Sequence, residues 1–99
     1  MFEQISINQV EETVREMGAI LIDLRSREEY EKGHIKGAIS LPFEELERKF
    51  FYRKNQPVVV YCEMGSRSMR ASRWLFERGY QVVNTVGGIQ QYTGVLVKE

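Results

Sequence analysis

The chain holds a single thiol, Cys62, set between Val58-Val59-Val60-Tyr61 and Glu63-Met64-Gly65-Ser66-Arg67-Ser68. A β-branched apolar run, then a glycine-containing turn, then a helix-forming stretch puts the sulfur at a strand end facing a helix start. The first N–H groups of a helix have no intrahelical acceptor and carry its positive end. They face the sulfur here. Cysteine is nucleophilic as the thiolate, which helix N-termini and adjacent cations favour. Successive N–H groups from Glu63 to Ser68 can form an anion-holding nest, and Gly65 supplies backbone angles that such a nest needs. Arg67 can hold an oxyanion with several donors at once. Arg25, Arg27 and Arg70 add to this field if the fold brings them close. The bland alternative is a small buried hydrophobe at a strand end, but a filler has no use for the Gly-Ser-Arg-Ser that follows.

Three chemistries use a cradled thiolate: phosphate ester cleavage, arsenate reduction and sulfur transfer. Loop length separates them. Protein tyrosine phosphatases have a loop one residue longer between cysteine and arginine, wide enough for a tetrahedral phosphate. Here only Glu63, Met64, Gly65 and Ser66 intervene between Cys62 and Arg67. That loop is tighter and better suited to one added sulfur atom. Arsenate reduction commonly needs a second thiol, which an outside molecule would have to supply.

The elements that must position this loop alternate between strand and helix. Ile5 to Ile7 reads as a short strand. Asn8, with Glu11 three residues on, reads as a capping box for a helix carrying Val10, Val14 and Met17 and ending at Gly18. Ala19 to Leu24 is a strand buried on both faces. Ser26 and Glu29 form a second capping box, opening a helix that stops at Gly33. Ala38 to Leu41 is a short strand; Pro42 opens a helix with Phe43, Leu46 and Phe50 as its apolar stripe. Val58 to Tyr61 and Gln81 to Asn84 are central strands. Between them a helix over Arg67 to Arg78 carries Ser68, Met69, Ala71, Ser72, Leu75 and Phe76 on one face. Arg70 and Arg73 belong to its solvated face, and Trp74 sits at the edge of that face, partly covered. Gly87-Gly88 reads as a flexible turn before a last short helix near Ile89 to Tyr92. This order predicts a three-layer α/β domain with a mainly parallel sheet. Ligands collect at the carboxyl ends of such strands, where both Cys62 and Asp23-Leu24-Arg25 fall.

With 99 residues the chain forms one domain, read as residues 1–99. Fourteen basic and 14 acidic residues cancel, so no net field draws it to nucleic acid or a membrane surface. No apolar run has the length of a membrane span. One cysteine allows no internal disulfide, and the N-terminus lacks the pattern of a secretion signal, so a cytoplasmic, reducing location is the default expectation. With one histidine and one cysteine, no metal site is expected. His34, in a Gly-His-Ile turn, is expected to bond nearby backbone rather than act as a base for Cys62. Oligomeric state is not legible.

Three segments in order resemble the single-domain rhodaneses, the thiosulfate sulfurtransferase family. They are Ile22-Asp23-Leu24-Arg25 with Ser26 to Tyr30, Gly33-His34-Ile35-Lys36-Gly37-Ala38-Ile39 followed by Leu41-Pro42, and Cys62 to Ser68. The likeness runs over about Ile5 to Gly94. The resemblance implies a rhodanese-like fold with a central five-stranded sheet flanked by helices, and no cofactor. It implies a two-step exchange. Cys62 takes sulfane sulfur from a small donor such as thiosulfate, becomes a persulfide, and gives the sulfur to cyanide or to a thiol acceptor of the thioredoxin or glutathione type. A covalent intermediate of this kind divides one difficult step into two. The loop residues Glu63, Met64, Gly65, Ser66, Arg67 and Ser68 would hold the donor. The Ser66 and Ser68 side chains either donate to the persulfide or cap the helix. Asp23 and Arg25 are read as braces for the loop. A non-catalytic sulfur carrier or interaction module is the alternative on this scaffold, and a phosphatase or arsenate reductase a further one. Two departures stand out. Glu63 puts a negative charge at the mouth and weakens attraction to a dianion, and Tyr92 replaces the tryptophan of many relatives.

Overall fold

The computed structural model describes all residues from Met1 to Glu99. Five strands form one sheet: β1 (Glu3–Ser6), β2 (Ile20–Asp23), β3 (Ile39–Ser40), β4 (Val58–Tyr61) and β5 (Val82–Val86). Their spatial order is β1-β5-β4-β2-β3, with every neighbouring pair parallel. Parallel pairing requires crossovers, and four helices supply them: α1 (Val10–Met17), α2 (Arg27–Lys32), α3 (Leu46–Lys49) and α4 (Ser66–Glu77). The expected α/β architecture with a five-stranded sheet flanked by helices is the one observed.

Period-2 alternation along the central strand splits the core into two layers. Val58, Val60 and Cys62 face one cluster, with Leu46 and Phe50 around α3 and Ala71 and Leu75 of α4. Val59 and Tyr61 face the other, with Val10 of α1 and Ile35. All four residues of β4 are buried, which explains why the strand reads as an unbroken apolar run. Cys62 continues the α4-facing row one step beyond the strand.

Several local expectations shift. The first capping box is Ser6 with Gln9, not Asn8 with Glu11, and it opens a single 3-10 turn before α1. Asn8 is used at long range: its amide donates to the Gln91 carbonyl, and its oxygen accepts from the Thr93 N–H at 2.8 Å. The Pro42 helix starts as a 3-10 turn over Phe43–Glu45 before α3. Phe76, expected on the buried face of α4, is exposed and meets the Phe2 ring at 6.0 Å between centroids. The Ser26–Glu29 box opens α2 as expected. The C-terminal tail does pack: Val97 and His34 exchange two backbone hydrogen bonds of 2.8 Å each.

Candidate active site at Cys62

The site begins where β4 ends. Cys62 is 2% exposed, and its sulfur is not sealed off from the helix start. The Gly65 N–H donates to Sγ at 3.1 Å and the Ser68 N–H at 3.3 Å. Ser68 occupies the third helical position of α4, whose N–H ordinarily takes a capping side-chain oxygen. Gly65, at the cap position, has no side chain to offer. The Cys62 sulfur therefore stands in for the N-cap acceptor, at the positive end of a 12-residue helix. Gly65 adopts φ +114°, a left-handed conformation that side-chain-bearing residues rarely take. The N–H groups of Ser66 and Arg67 have no acceptor in the protein, so they remain available in the same turn.

The two serine side chains take different places. Ser68 Oγ donates to the Gly65 carbonyl at 3.0 Å, tightening the turn rather than facing the sulfur. Ser66 is exposed and lines the pocket mouth without capping α4.

A pocket of about 270 Å³ opens over the thiol, lined by Glu29, Cys62, Glu63, Met64, Ser66 and Arg67. Met64 is exposed on the rim. A larger groove, about 590 Å³, lies between the α3 region and α4, lined by Phe43, Trp74 and charged side chains. It holds no nucleophile, so size does not select it as the reactive site.

The cations distribute unevenly. Arg67 lines the pocket. Arg27 instead binds Glu45 at 2.6 Å, and Arg70 lies over the Phe43 ring at 5.1 Å. Neither strengthens the field at the sulfur as the sequence suggested. Arg25 is buried and bound to Asp23 through three side-chain hydrogen bonds. It also donates to the Gly33 carbonyl at 2.7 Å, and its Nη1 approaches the Glu63 carboxylate at 3.7 Å. Burial opposes the Arg25 charge, but the hydrogen bond and the charge of Asp23 more than offset it, and its pKa rises. Asp23 and Arg25 thus brace each other and the Gly33 turn, and touch the loop only through Glu63.

Sequence reasoning missed the partner that completes this brace. Asp23 and Tyr61 are register partners across β2 and β4. Parallel pairing puts their side chains on one face, opposite Cys62. The Tyr61 hydroxyl donates to Asp23 at 2.7 Å and accepts the Ile35 N–H at 3.2 Å. Burial first, then the Asp23 charge, push the phenol pKa far above its usual value. A lone phenol ending one buried strand and an acid ending the other were the available signal.

The loop's floor is also built from afar. The Ile89 N–H donates to the Cys62 carbonyl at 2.9 Å and the Gln90 N–H to that of Glu63 at 3.3 Å. A Cβ on Gly88, whose φ is +65°, would fall 2.2 Å from the Glu63 carbonyl oxygen. Gly88 is a close-contact position, not merely a flexible turn. Thr85 of β5 ties in the strand end by donating to the Val60 carbonyl at 2.9 Å. His34 contacts backbone as expected, with Nδ1 2.8 Å from the Tyr30 carbonyl and its ring stacked on Tyr30.

A parallel sheet carries a thiol in a short amide loop at a strand's carboxyl end, the place where α/β domains gather their reactive groups. The Rhodanese-like domain family matches residues 6–94, and the chain belongs to that family. It is 36% identical over 80 residues to thiosulfate sulfurtransferase PspE of Escherichia coli (strain K12), covering 78% of this chain and 77% of that one. It is 36% identical over 76 residues to the putative sulfur carrier protein YrkF of Bacillus subtilis (strain 168), covering 75% of this chain and 41% of that protein. A rhodanese-related protein from Thermoplasma volcanium superposes with a TM-score of 0.82 at 28% identity, covering 95% of this chain and 98% of its own. The chain spans only 22% to 62% of the length of three of its curated relatives. Among the relatives, the names of PspE and GlpE state thiosulfate sulfurtransferase and that of YrkF a sulfur carrier, whereas others name a molybdopterin-synthase adenylyltransferase and a tRNA uridine(34) hydroxylase.

Proposed function

We propose that the chain is a sulfurtransferase that carries sulfane sulfur as a persulfide on Cys62. The carrying observation is the pair of N–H donors at 3.1 and 3.3 Å from Sγ in a short turn at the start of α4. The thiolate attacks the outer sulfur of thiosulfate; a Cys62 S–S bond forms, the donor S–S bond breaks, and sulfite leaves with the electron pair. In the second half, an acceptor thiolate or cyanide attacks the terminal sulfur and Cys62 leaves as the thiolate. No net oxidant is needed and no second cysteine. In this reading the N–H groups of Ser66 and Arg67, which have no acceptor in the protein, donate to the terminal sulfur, where negative charge collects. Arg67 steadies the anionic end of the donor, and Glu63, Met64, Gly65, Ser66 and Ser68 shape its seat.

The second reading, a protein-fed sulfur carrier, draws on the likeness to YrkF and on the exposed Met64 beside the thiol. One experiment separates the readings. Turnover of thiosulfate with cyanide or a small thiol, lost in Cys62→Ser, supports the enzyme. A stable persulfide with negligible turnover on small acceptors supports the carrier. Turnover of an aryl phosphate without any persulfide contradicts both.

A further inference from the structure

The charged groups around the thiol are not those of a pocket built for a dianion. Two of the six lining residues are carboxylates, Glu29 and Glu63, against one guanidinium, Arg67. Both carboxylates are held in place. Glu29 accepts from the Ser26 N–H and hydroxyl at 3.2 and 3.1 Å. Glu63 lies 3.7 Å from Arg25, whose charge is already met by Asp23. Arg67 lines the pocket and takes part in none of the protein's ion pairs, so its charge is free for a ligand.

We infer that the preferred sulfur donor is a zwitterionic organic hydropersulfide, bearing an ammonium and a carboxylate, rather than an inorganic dianion. The ammonium lies toward Glu29 and Glu63, and the carboxylate toward Arg67. A pocket of about 270 Å³ admits a molecule of amino-acid size. The inference deepens the persulfide reading and rests on it. The step balances: Cys62 thiolate attacks the terminal sulfur of R–S–SH, a new S–S bond forms to Cys62, the donor's own S–S bond breaks, and RS⁻ leaves with the electron pair. RS⁻ then takes the proton of the new Cys62 hydropersulfide, leaving Cys62–S–S⁻ and RSH. Charge opposition makes thiosulfate the poorer donor because like charges repel within the pocket.

Two measurements test it on the full chain. The first labels Cys62 with aminoethyl and sulfonatoethyl methanethiosulfonate, which form a disulfide with a thiolate and carry no sulfane sulfur. The cationic reagent should react about tenfold faster at low salt, and the gap should close as salt is raised. The second compares persulfide formation from cysteine hydropersulfide and from thiosulfate by intact mass. Glu29→Gln with Glu63→Gln should move both preferences about tenfold toward the anion. Glutamine still serves in the Ser26 capping box, so α2 is retained. Glu47→Gln, an exposed charge change outside the pocket, should move neither. Equal or anion-favoured labelling in the unaltered chain, or a donor preference unmoved by the double substitution, overturns the inference while persulfide formation stands. If neither donor adds sulfur, the persulfide reading itself fails, and the donor assignment with it, even where the two reagents still discriminate by charge.

Discussion

The sulfur atom of Cys62 is held by main-chain donors, so substitutions of surrounding side chains divide into those that meet the donor and those that support the frame. Arg67→Ala removes the free guanidinium of the pocket. It should lower persulfide formation from thiosulfate about tenfold, and from an uncharged alkyl persulfide much less, in stopped-flow comparison of the two donors. Equal losses would mean that Arg67 holds no anion. Tyr61→Phe acts on the frame. It leaves the buried Ile35 N–H without an acceptor and takes one donor from Asp23. Unfolding by urea should show a loss of about 1–3 kcal/mol. The candidate loop was legible because Cys62 to Ser68 is continuous in sequence and its spacing alone implies a turn into a helix. Tyr61 and Glu29 were not, because their places depend on strand register and on how α2 packs. The bond from the Ser68 hydroxyl to the Gly65 carbonyl was not legible either, because it depends on how the turn closes.

At the level of elements, β4, the loop and α4 form one unit, floored by the segment after β5. Gly88 is where that floor touches the loop. Gly88→Ala combines a left-handed backbone with a contact of 2.2 Å to the Glu63 carbonyl. The strain is about 1–3 kcal/mol, and a backbone atom cannot swing aside as a side chain can. The variant should remain folded but form persulfide at least tenfold more slowly, since the Glu63 carbonyl and the Cys62 sulfur move together. Unaltered rates would show that this contact does not set the loop. The strands and α4 were readable from β-branched runs and helical spacing, within a residue or two at their ends. The floor was not, because two glycines in a row look the same whether they flex or let two backbones meet.

Across the whole molecule, the two core layers meet at a sheet buried on both faces, and stability depends on neutral phenols as well as apolar contacts. The Tyr92 hydroxyl donates to Glu11 at 2.7 Å; burial first, then this hydrogen bond, push its pKa up to about 12. The Tyr61 phenol is shifted in the same direction. An unfolded tyrosine ionises near ~10. The native state therefore holds its phenolic protons more tightly, and the stability they confer is intact below ~pH 10. It is lost progressively as pH rises toward about 12, where Tyr92 ionises in the folded chain as well. Denaturant midpoints from pH 8 upward should fall beyond ~pH 10, and Tyr92→Phe should fall less steeply. A parallel fall in the two proteins would contradict the role given to Tyr92. The three-layer plan was legible as a whole because alternating strand and helix signals leave few topologies. Packing of the tail against His34 was not, since one antiparallel pair carries no periodic signal.

The central claim is most directly tested by the intact mass of the purified chain after exposure to a sulfane donor, followed by a chase with a thiol. The unaltered chain should gain one sulfur atom and lose it on the chase, and Cys62→Ser should gain none. An unchanged mass with thiosulfate and with organic hydropersulfides, or the same gain in Cys62→Ser, would contradict it.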